Sequence, residues 1–89
     1  MLNERLLEAL YVPVDQRVRR RLVELAEVYG DEGAGPVTVP LTQDVIAELA
    51  GATRSTVNQV LRDEEKRGTI ELTRGRIGIL DVSQLVQRR

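Results

Sequence analysis

The stretch LTQDVIAELAGATRSTVNQVLR, residues 41–62, decides the fold of this 89-residue chain. It contains two short amphipathic segments, and each is preceded by a threonine, Thr42 or Thr53, that suits the N-cap position of a helix. Gly51 stands between them, where a tight turn needs a residue that adopts positive φ without steric cost. The stretch therefore predicts two helices that cross at a short turn.

The apolar residues of both predicted helices suit a close crossing. Those expected to face the partner helix are Ile46, Ala47 and Ala50 in the first helix and Val57 and Val60 in the second. Ala47 is small where the helices come nearest, and the spacing of the valines after the turn is that of the helix-turn-helix motif. We predict its first helix over 43–50 and its second from the cap Thr53 to Arg67, ending at Gly68.

The opposite face of the second helix is polar. At about 100° per residue, the side chains placed there are Arg54, Ser55, Asn58, Gln59 and Arg62. Arginine can donate two hydrogen bonds to guanine, and asparagine or glutamine pairs similarly with adenine. A solvated face is the alternative interpretation, but such faces usually carry Glu and Lys, which begin only at DEEK, residues 63–66. The pattern favours a recognition helix over 54–67 that reads base edges in the major groove of duplex DNA.

Glu64 departs from this pattern, because the inward spacing of the second helix predicts an apolar residue at its position. The stem of Glu64 can pack on the core while its carboxylate reaches either Arg67 or solvent. The sequence leaves these alternatives open.

Two further helices are predicted before the motif. The first is capped by Asn3 and reaches about Val12, and Pro13 ends it because the residue before a proline avoids helical dihedrals. Asp15 is expected to cap the second helix. The buried positions of that helix, at helical spacing, are Val18, Leu22, Leu25, Ala26 and Tyr29, and its arginines Arg19, Arg20 and Arg21 are interpreted as a solvated face.

Short β elements are predicted on both sides of the motif. The segment GDEGAGP, 30–36, indicates a loop, and VTV, 37–39, an edge strand. Residues 69–80 alternate between apolar and polar about a turn near Gly75, which predicts a β-hairpin, and Asp81 suits the cap of a last short helix. The predicted fold class is mainly α with a small β-hairpin (α+β): a winged helix-turn-helix with a three-helix core and a β wing.

Three features suit a duplex as the partner. The helix starts behind Thr42 and Thr53 have free N–H groups that can hold a phosphate. Arg74 and Arg76 lie at the predicted hairpin tip, where a wing would follow the DNA backbone. The scarcity of aromatic residues argues against single-stranded nucleic acid, which is normally held by stacking.

The composition excludes several classes of function. The chain has no Cys and no His, which excludes a catalytic thiol, an imidazole base, a disulfide framework and a structural zinc site. Two tyrosines are its only aromatic residues, so we expect an aliphatic core. No apolar run approaches the ~20 residues of a membrane span and no signal peptide is recognisable, which predicts a cytoplasmic protein without a membrane partner. Residues 1–52 carry a net charge of −4 and residues 53–89 a net charge of +3, so a polyanion would meet the second half.

Residues 41–81 resemble the C-terminal winged helix of Crp/Fnr-type bacterial transcription regulators. The run LTQ…IA.L.GATR.TV…L carries the resemblance, and VPVDQRVRRRLVELA, 12–26, is similar to the preceding helix of that family. In the family, the Arg at the position of Arg54 reads guanine. The Thr at the position of Thr42 and the Ser or Thr at the position of Thr53 contact phosphate, and so does the backbone near Val14. The wing's basic residue corresponds to Arg76.

Together, the face pattern and the resemblance give the expected site. Base reading is expected from Arg54, Ser55, Asn58 and Gln59, and backbone contact from Val14, Thr42, Thr53, Arg62, Arg74 and Arg76. Family members often carry Glu where Ser55 stands, and one branch carries Arg where Gln59 stands. These departures leave the operator sequence open.

The resemblance also implies a division of the chain. Residues 1–14 are expected to be the end of a linker or dimer-helix region with a hinge, and 15–89 the DNA-binding domain, with the helix-turn-helix at 42–67 and the wing at 69–80. Family members carry an N-terminal sensor barrel and a long dimerisation helix. The first interpretation is therefore a domain of a longer regulator, and the second is a small stand-alone regulator.

The expected partners follow from the same resemblance. They are double-stranded DNA with a two-fold symmetric operator, a second copy that dimerises through the missing region, and RNA polymerase as a further candidate. No cofactor is expected in this chain, because a cyclic nucleotide or other effector would bind the N-terminal sensor domain. A metal site is not expected either.

A winged helix that binds another protein, without specific DNA binding, is the alternative function. It would place an exposed apolar patch on the 54–62 face, and the side chains predicted there are polar. We do not expect an enzyme, because catalysis by paired carboxylates needs a pocket and residues 63–66 are predicted on a helix surface.

Overall fold

The computed structural model describes residues 3–30 and 35–89. Its helices are α1 (Glu4–Tyr11), α2 (Val14–Tyr29), α3 (Gln43–Ala50), α4 (Arg54–Lys66) and α5 (Val82–Arg88), and its strands are β1 (Val37–Val39), β2 (Ile70–Thr73) and β3 (Arg76–Ile79). The predicted fold class and order of elements are confirmed. Most of the loop predicted at 30–36 lies outside the described residues.

The strands form one antiparallel sheet in the order β1-β3-β2. Ile79 of β3 pairs with Val37 of β1 on one side and with Ile70 of β2 on the other, and these three side chains are buried. The β2–β3 turn contains Gly75 with a φ of 76°, a value that favours glycine. The predicted edge strand and hairpin are confirmed, and one face of the sheet closes the core.

Helix α2 forms the centre of an aliphatic core. Its Val18 and Leu22 are fully buried, and it packs against α3, α4, α5 and β1. Ala26 is buried and Leu25 partly so, as predicted. The predicted burial of Tyr29 is wrong, since this side chain ends α2 and stays 44% exposed. Its phenol can remain in water there while part of the ring packs.

Helix α2 begins two residues earlier than predicted. Pro13 is its N-cap residue and accepts a hydrogen bond from the backbone N–H of Arg17 at 3.1 Å. The prediction that Asp15 caps the helix is wrong, because its carboxylate instead accepts a hydrogen bond from Arg19 at 3.1 Å. A proline suits this position because its missing N–H costs nothing at a helix start.

The predicted solvated face of α2 is wrong for two of its three arginines. Arg19 and Arg21 are buried, while the Arg20 side chain remains 37% exposed. Helix α1 covers one part of this face with Glu8, which accepts hydrogen bonds from Arg20 at 3.1 Å and Arg21 at 2.8 Å. On the other part, Arg19 Nε donates to the backbone carbonyl of Arg88 in α5 at 2.7 Å. Periodicity within one helix does not reveal that other helices cover it.

Glu64 points into the protein and is only 1% exposed. Arg88 of α5 donates to both of its carboxylate oxygens, with Nη1 at 2.7 Å from Oε2, and Thr69 Oγ1 donates to Oε1 at 2.8 Å. Arg19 Nη1 lies 3.7 Å from Oε2. Neither Arg67 nor solvent is the partner, so both alternatives left open by the sequence are wrong.

Candidate functional site

Two helix caps and a left-handed turn build the helix-turn-helix. The hydroxyl oxygens of Thr42 and Thr53 accept hydrogen bonds from the backbone N–H groups of Val45 and Thr56, which confirms both predicted caps. Gly51 has a φ of 64° in the turn, as predicted. Both capping threonines are exposed, so the starts of α3 and α4 are open to an anionic group.

The outer face of α4 carries the side chains predicted to read bases. Arg54, Ser55 and Gln59 are exposed. Asn58 is half-buried, and its Nδ2 donates to Oε1 of Gln43 in α3 at 2.8 Å. The fold thus presents three of these four side chains at the surface and ties the fourth to the neighbouring helix.

A cleft of about 270 Å³ separates the helix-turn-helix from the tip of the wing. Thr42, Asp44 and Arg54 line it on one side, and Arg74 and Arg76 of the wing line it on the other. The three arginines outnumber the single carboxylate, so the lining is cationic. This cleft brings together predicted residues that are up to 34 positions apart in the sequence.

Three residues predicted to contact the DNA backbone, Val14, Thr53 and Arg62, do not line the cleft. Val14 is the first residue of α2 and is half-buried. Arg62 lies on α4, and its side chain is 58% exposed, with Nη1 at 3.4 Å from the Glu65 carboxylate. As for every residue of the predicted site, contact of these three with DNA remains a prediction that rests on the sequence.

Arg17 was missed by the sequence analysis, although it fixes the turn of the motif. Its Nε and Nη2 donate to the backbone carbonyls of Ala50 and Gly51 at 2.9 and 3.3 Å, and its Nη1 donates to the carbonyl of Val12 at 2.8 Å. Arg5 of α1 donates to the carbonyl of Leu49 at 2.8 Å. The last backbone carbonyls of a helix need hydrogen-bond donors from outside the helix. An arginine without a predicted role on the preceding helix, such as Arg17, was the one available sign in the sequence that such a donor existed.

The pKa of Glu64 lies below its usual value although the group is buried. Burial by itself raises the pKa, but hydrogen bonds from Arg88 and Thr69 and the charges of Arg88 and Arg19 outweigh it. The same contact raises the pKa of Arg88. The inner face of α4 is therefore joined to α5 and α2 by a charged network, while its outer face is solvated.

The described residues contain neither a cluster of metal-binding side chains nor a membrane-spanning helix. Within residues 3–30 and 35–89, no three metal-binding side chains of the Asp, Glu, His or Cys type are grouped to hold an ion. Among the helices described, none has the length and apolar character needed to cross a bilayer.

Comparison with known proteins gives a consistent result. The family model of the Crp-like helix-turn-helix domain matches residues 16–88. A CRP-like cAMP-activated global transcriptional regulator of Mycobacterium tuberculosis is 40% identical over 88 residues, covering 97% of this chain and 39% of that protein.

Solved structures agree with this match. A transcriptional regulator of the CRP/FNR family from Thermus thermophilus superposes with a TM-score of 0.81 and 28% identity, over 93% of this chain and 43% of that one. A CRP-family regulator from the same organism gives a TM-score of 0.74 and 25% identity, over 85% and 40%. The chain spans about two fifths of the length of these relatives. It belongs to the family of Crp-like helix-turn-helix domains, which are parts of transcription regulators and whose motif implies DNA binding.

Proposed function

We propose that this chain binds duplex DNA sequence-specifically, with α4 as the recognition helix in the major groove. The observation that carries the proposal is the cationic cleft, where the starts of α3 and α4 and the arginines of the wing face the same side. A B-DNA major groove is wide enough to admit one helix, and the adjacent backbone would then pass the wing.

The proposed roles differ between the side chains. Arg54 donates two hydrogen bonds to guanine, and Ser55, Asn58 and Gln59 read neighbouring base pairs. Asn58 is held by Gln43, so it must exchange this bond or reach a base edge with its free carbonyl. The residues proposed to contact the DNA backbone are Val14, Thr42, Thr53, Arg62, Arg74 and Arg76.

The wider assembly is also a proposal. A domain with one recognition helix would bind one half-site of a two-fold operator. Two linked copies, with their recognition helices about 34 Å apart, would bind both half-sites, and the linkage raises affinity without new contacts. For a longer regulator that contains this domain, we propose dimerisation, binding of a cyclic nucleotide or other effector, and contact with RNA polymerase. The CRP-like relative from Mycobacterium tuberculosis is more than twice as long as this chain.

Arg54→Ala tests the proposal. The variant should lose about 1–3 kcal/mol of binding free energy on a selected DNA site and lose preference at one base pair. Arg67→Ala is the matched control, since it removes the same charge from an exposed side chain at the far end of α4. Affinities for selected and random duplexes at several salt concentrations provide the measurement.

Each other outcome has a defined meaning. Equal loss on selected and random DNA would reduce Arg54 to a phosphate contact. Failure of the wild-type chain to prefer any sequence over random DNA would contradict the proposal and favour the protein-binding alternative.

A further inference from the structure

Asp44 and Arg54 meet at the edge of the cleft. Asp44 lies in the first turn of α3 and Arg54 is the first residue of α4. The Nε atom of Arg54 is 3.6 Å from Oδ1 of Asp44, and the two side chains are 69% and 64% exposed. Asp44 has no role predicted from the sequence, and a carboxylate on a surface proposed to meet phosphates needs an explanation.

The geometry of the contact suggests that reason. A guanidinium has five N–H donors in a planar fork, of which one is on Nε and four are on the two terminal nitrogens. Asp44 approaches the Nε side, which leaves the terminal nitrogens available. Bidentate recognition of guanine uses two parallel donors directed at O6 and N7, and the two terminal nitrogens can supply them while Nε faces the carboxylate.

We propose that Asp44 is a positioning residue for base recognition: it orients the guanidinium of Arg54 so that its terminal nitrogens face one guanine. This inference rests on the proposed DNA-binding function and adds to it a specificity-determining residue outside α4. An exposed arginine loses side-chain entropy when it adopts one geometry, and a partner that already restricts the side chain lowers this cost in the complex.

The ion pair has little reason to exist for stability. Pairs this exposed contribute about 0–1 kcal/mol to folding and are screened by salt. Asp44 also carries a negative charge toward the proposed DNA surface, where it opposes phosphates in every sequence. Orientation of Arg54 favours the specific complex, whereas the repulsion weakens binding to every sequence alike.

A double-mutant cycle tests the inference, with Asp44→Asn, Arg54→Lys and the combination of both. Asp44→Asn keeps the shape of the side chain and removes its charge. Arg54→Lys keeps the positive charge and removes the planar fork. Glu48→Gln is the control, because it removes one negative charge from another exposed side chain of α3.

The measurement is competition binding to duplexes that carry each of the four base pairs at every position of a selected site. The base pair assigned to Arg54 is the one whose preference disappears in Arg54→Ala. Asp44→Asn should lower the preference at this base pair by about threefold or more, and raise affinity for random DNA. In the Arg54→Lys background, Asp44→Asn should leave the preference unchanged, since there is no fork left to orient.

Two results would overturn the inference. One is an unchanged preference at the Arg54 base pair in Asp44→Asn. The other is a uniform gain of affinity for all duplexes that Glu48→Gln reproduces, which would make Asp44 only a source of charge repulsion. A wild-type chain without any base preference is a separate outcome, because it contradicts the proposed function itself.

Discussion

At the scale of single residues, the outer face of α4 combines one restrained arginine with side chains that adapt to several partners. Ser55 is exposed in the first turn, and its hydroxyl can both donate and accept a hydrogen bond. The amide of Gln59 already donates to Asp63 at 3.2 Å within the same helix. We therefore expect base discrimination in the proposed complex to be strongest where Arg54 meets the DNA.

Ser55→Glu should create a new base preference. A carboxylate accepts a hydrogen bond from the amino group of cytosine and does not accommodate bases without that donor, so a C·G preference of roughly 1 kcal/mol or more is expected at one position. The base pair read by Arg54 should be unaffected. Selection of sites from a random library, for the wild type and the variant in parallel, is the measurement.

Ser55→Ala is the control for this experiment, because it separates loss of the hydroxyl from gain of the carboxylate. If Ser55→Glu shows no new preference at any position, residue 55 does not face the bases and the proposed docking of α4 is wrong.

At the scale of elements, α4 is held at both ends by groups outside the helix-turn-helix. Arg17 of α2 binds the turn that precedes α4. Near the other end, Glu64 receives hydrogen bonds from Arg88 of α5 and from Thr69, just before β2. The orientation of the proposed recognition helix is thus determined by side chains from α2 and α5 as much as by the apolar crossing with α3.

Arg88→Met should destabilise the fold by about 2–4 kcal/mol, because it leaves the Glu64 carboxylate buried without its main partner. Glu64→Leu combined with Arg88→Met should restore most of this loss, since a buried ion pair can be replaced by apolar side chains at little cost. Urea unfolding of both variants measures the free energy of unfolding. Equal destabilisation in the single and double variants would show that Arg88 does not stabilise the fold through its ion pair with Glu64.

The wing is expected to act on the DNA backbone. Arg76 is exposed at the start of β3 and lines the cleft. Arg76→Ala should weaken binding to all sequences alike and lower the slope of log K against log salt by about 1, because one fewer counterion is released. The comparison is a salt titration with random and selected duplexes, with Arg67→Ala as the charge-matched variant. An unchanged slope would mean that the wing tip does not touch the backbone.

At the scale of the whole molecule, some arginines lie in ion pairs within the fold and others line the exposed cleft. Arg20 and Arg21 of α2 are paired with Glu8, and Arg19 is paired with Asp15 and Glu64. The cleft arginines of the second half of the chain face outward. The net charge of −1 therefore hides a cationic face suited to a polyanion.

Stability should depend on pH only in the acid range. The pKa values of Glu8 and Glu64 are lowered in the folded state from an ordinary 4.5. For Glu8, the hydrogen bonds and charges of Arg20 and Arg21 outweigh the opposing effect of burial. The folded protein then binds fewer protons than the unfolded chain, so this stabilisation is present above the unfolded pKa and is lost as pH falls through the folded pKa.

We expect the free energy of unfolding to be nearly constant from about pH 6 to 8, because the chain has no histidine, and to fall below about pH 4.5. Urea unfolding at a series of pH values measures this dependence. The variant with both Glu64→Leu and Arg88→Met should lose less stability on acidification than the wild type. The same loss in both proteins would contradict the contribution assigned to Glu64.

The sequence by itself determined the elements and their local signals. Helical and alternating periodicities, the caps Thr42 and Thr53, and the positive φ of Gly51 depend on neighbours a few residues away, and all were predicted. The exposure of Arg54 and Ser55 followed from the same local geometry, because the rotation along one helix fixes which side chains oppose its apolar face.

The tertiary structure decided which charged residues are buried and what they bind. Arg19 and Arg21 were predicted to be solvated, and Glu64 was predicted to reach Arg67 or solvent, because periodicity within one helix does not show that α1 and α5 cover these residues. Arg17 and Asp44 gain their roles in the same way, through contacts 33 and 10 residues away in sequence. An ion pair depends on the distance between atoms, and for residues far apart in sequence only the packing of the whole chain fixes that distance.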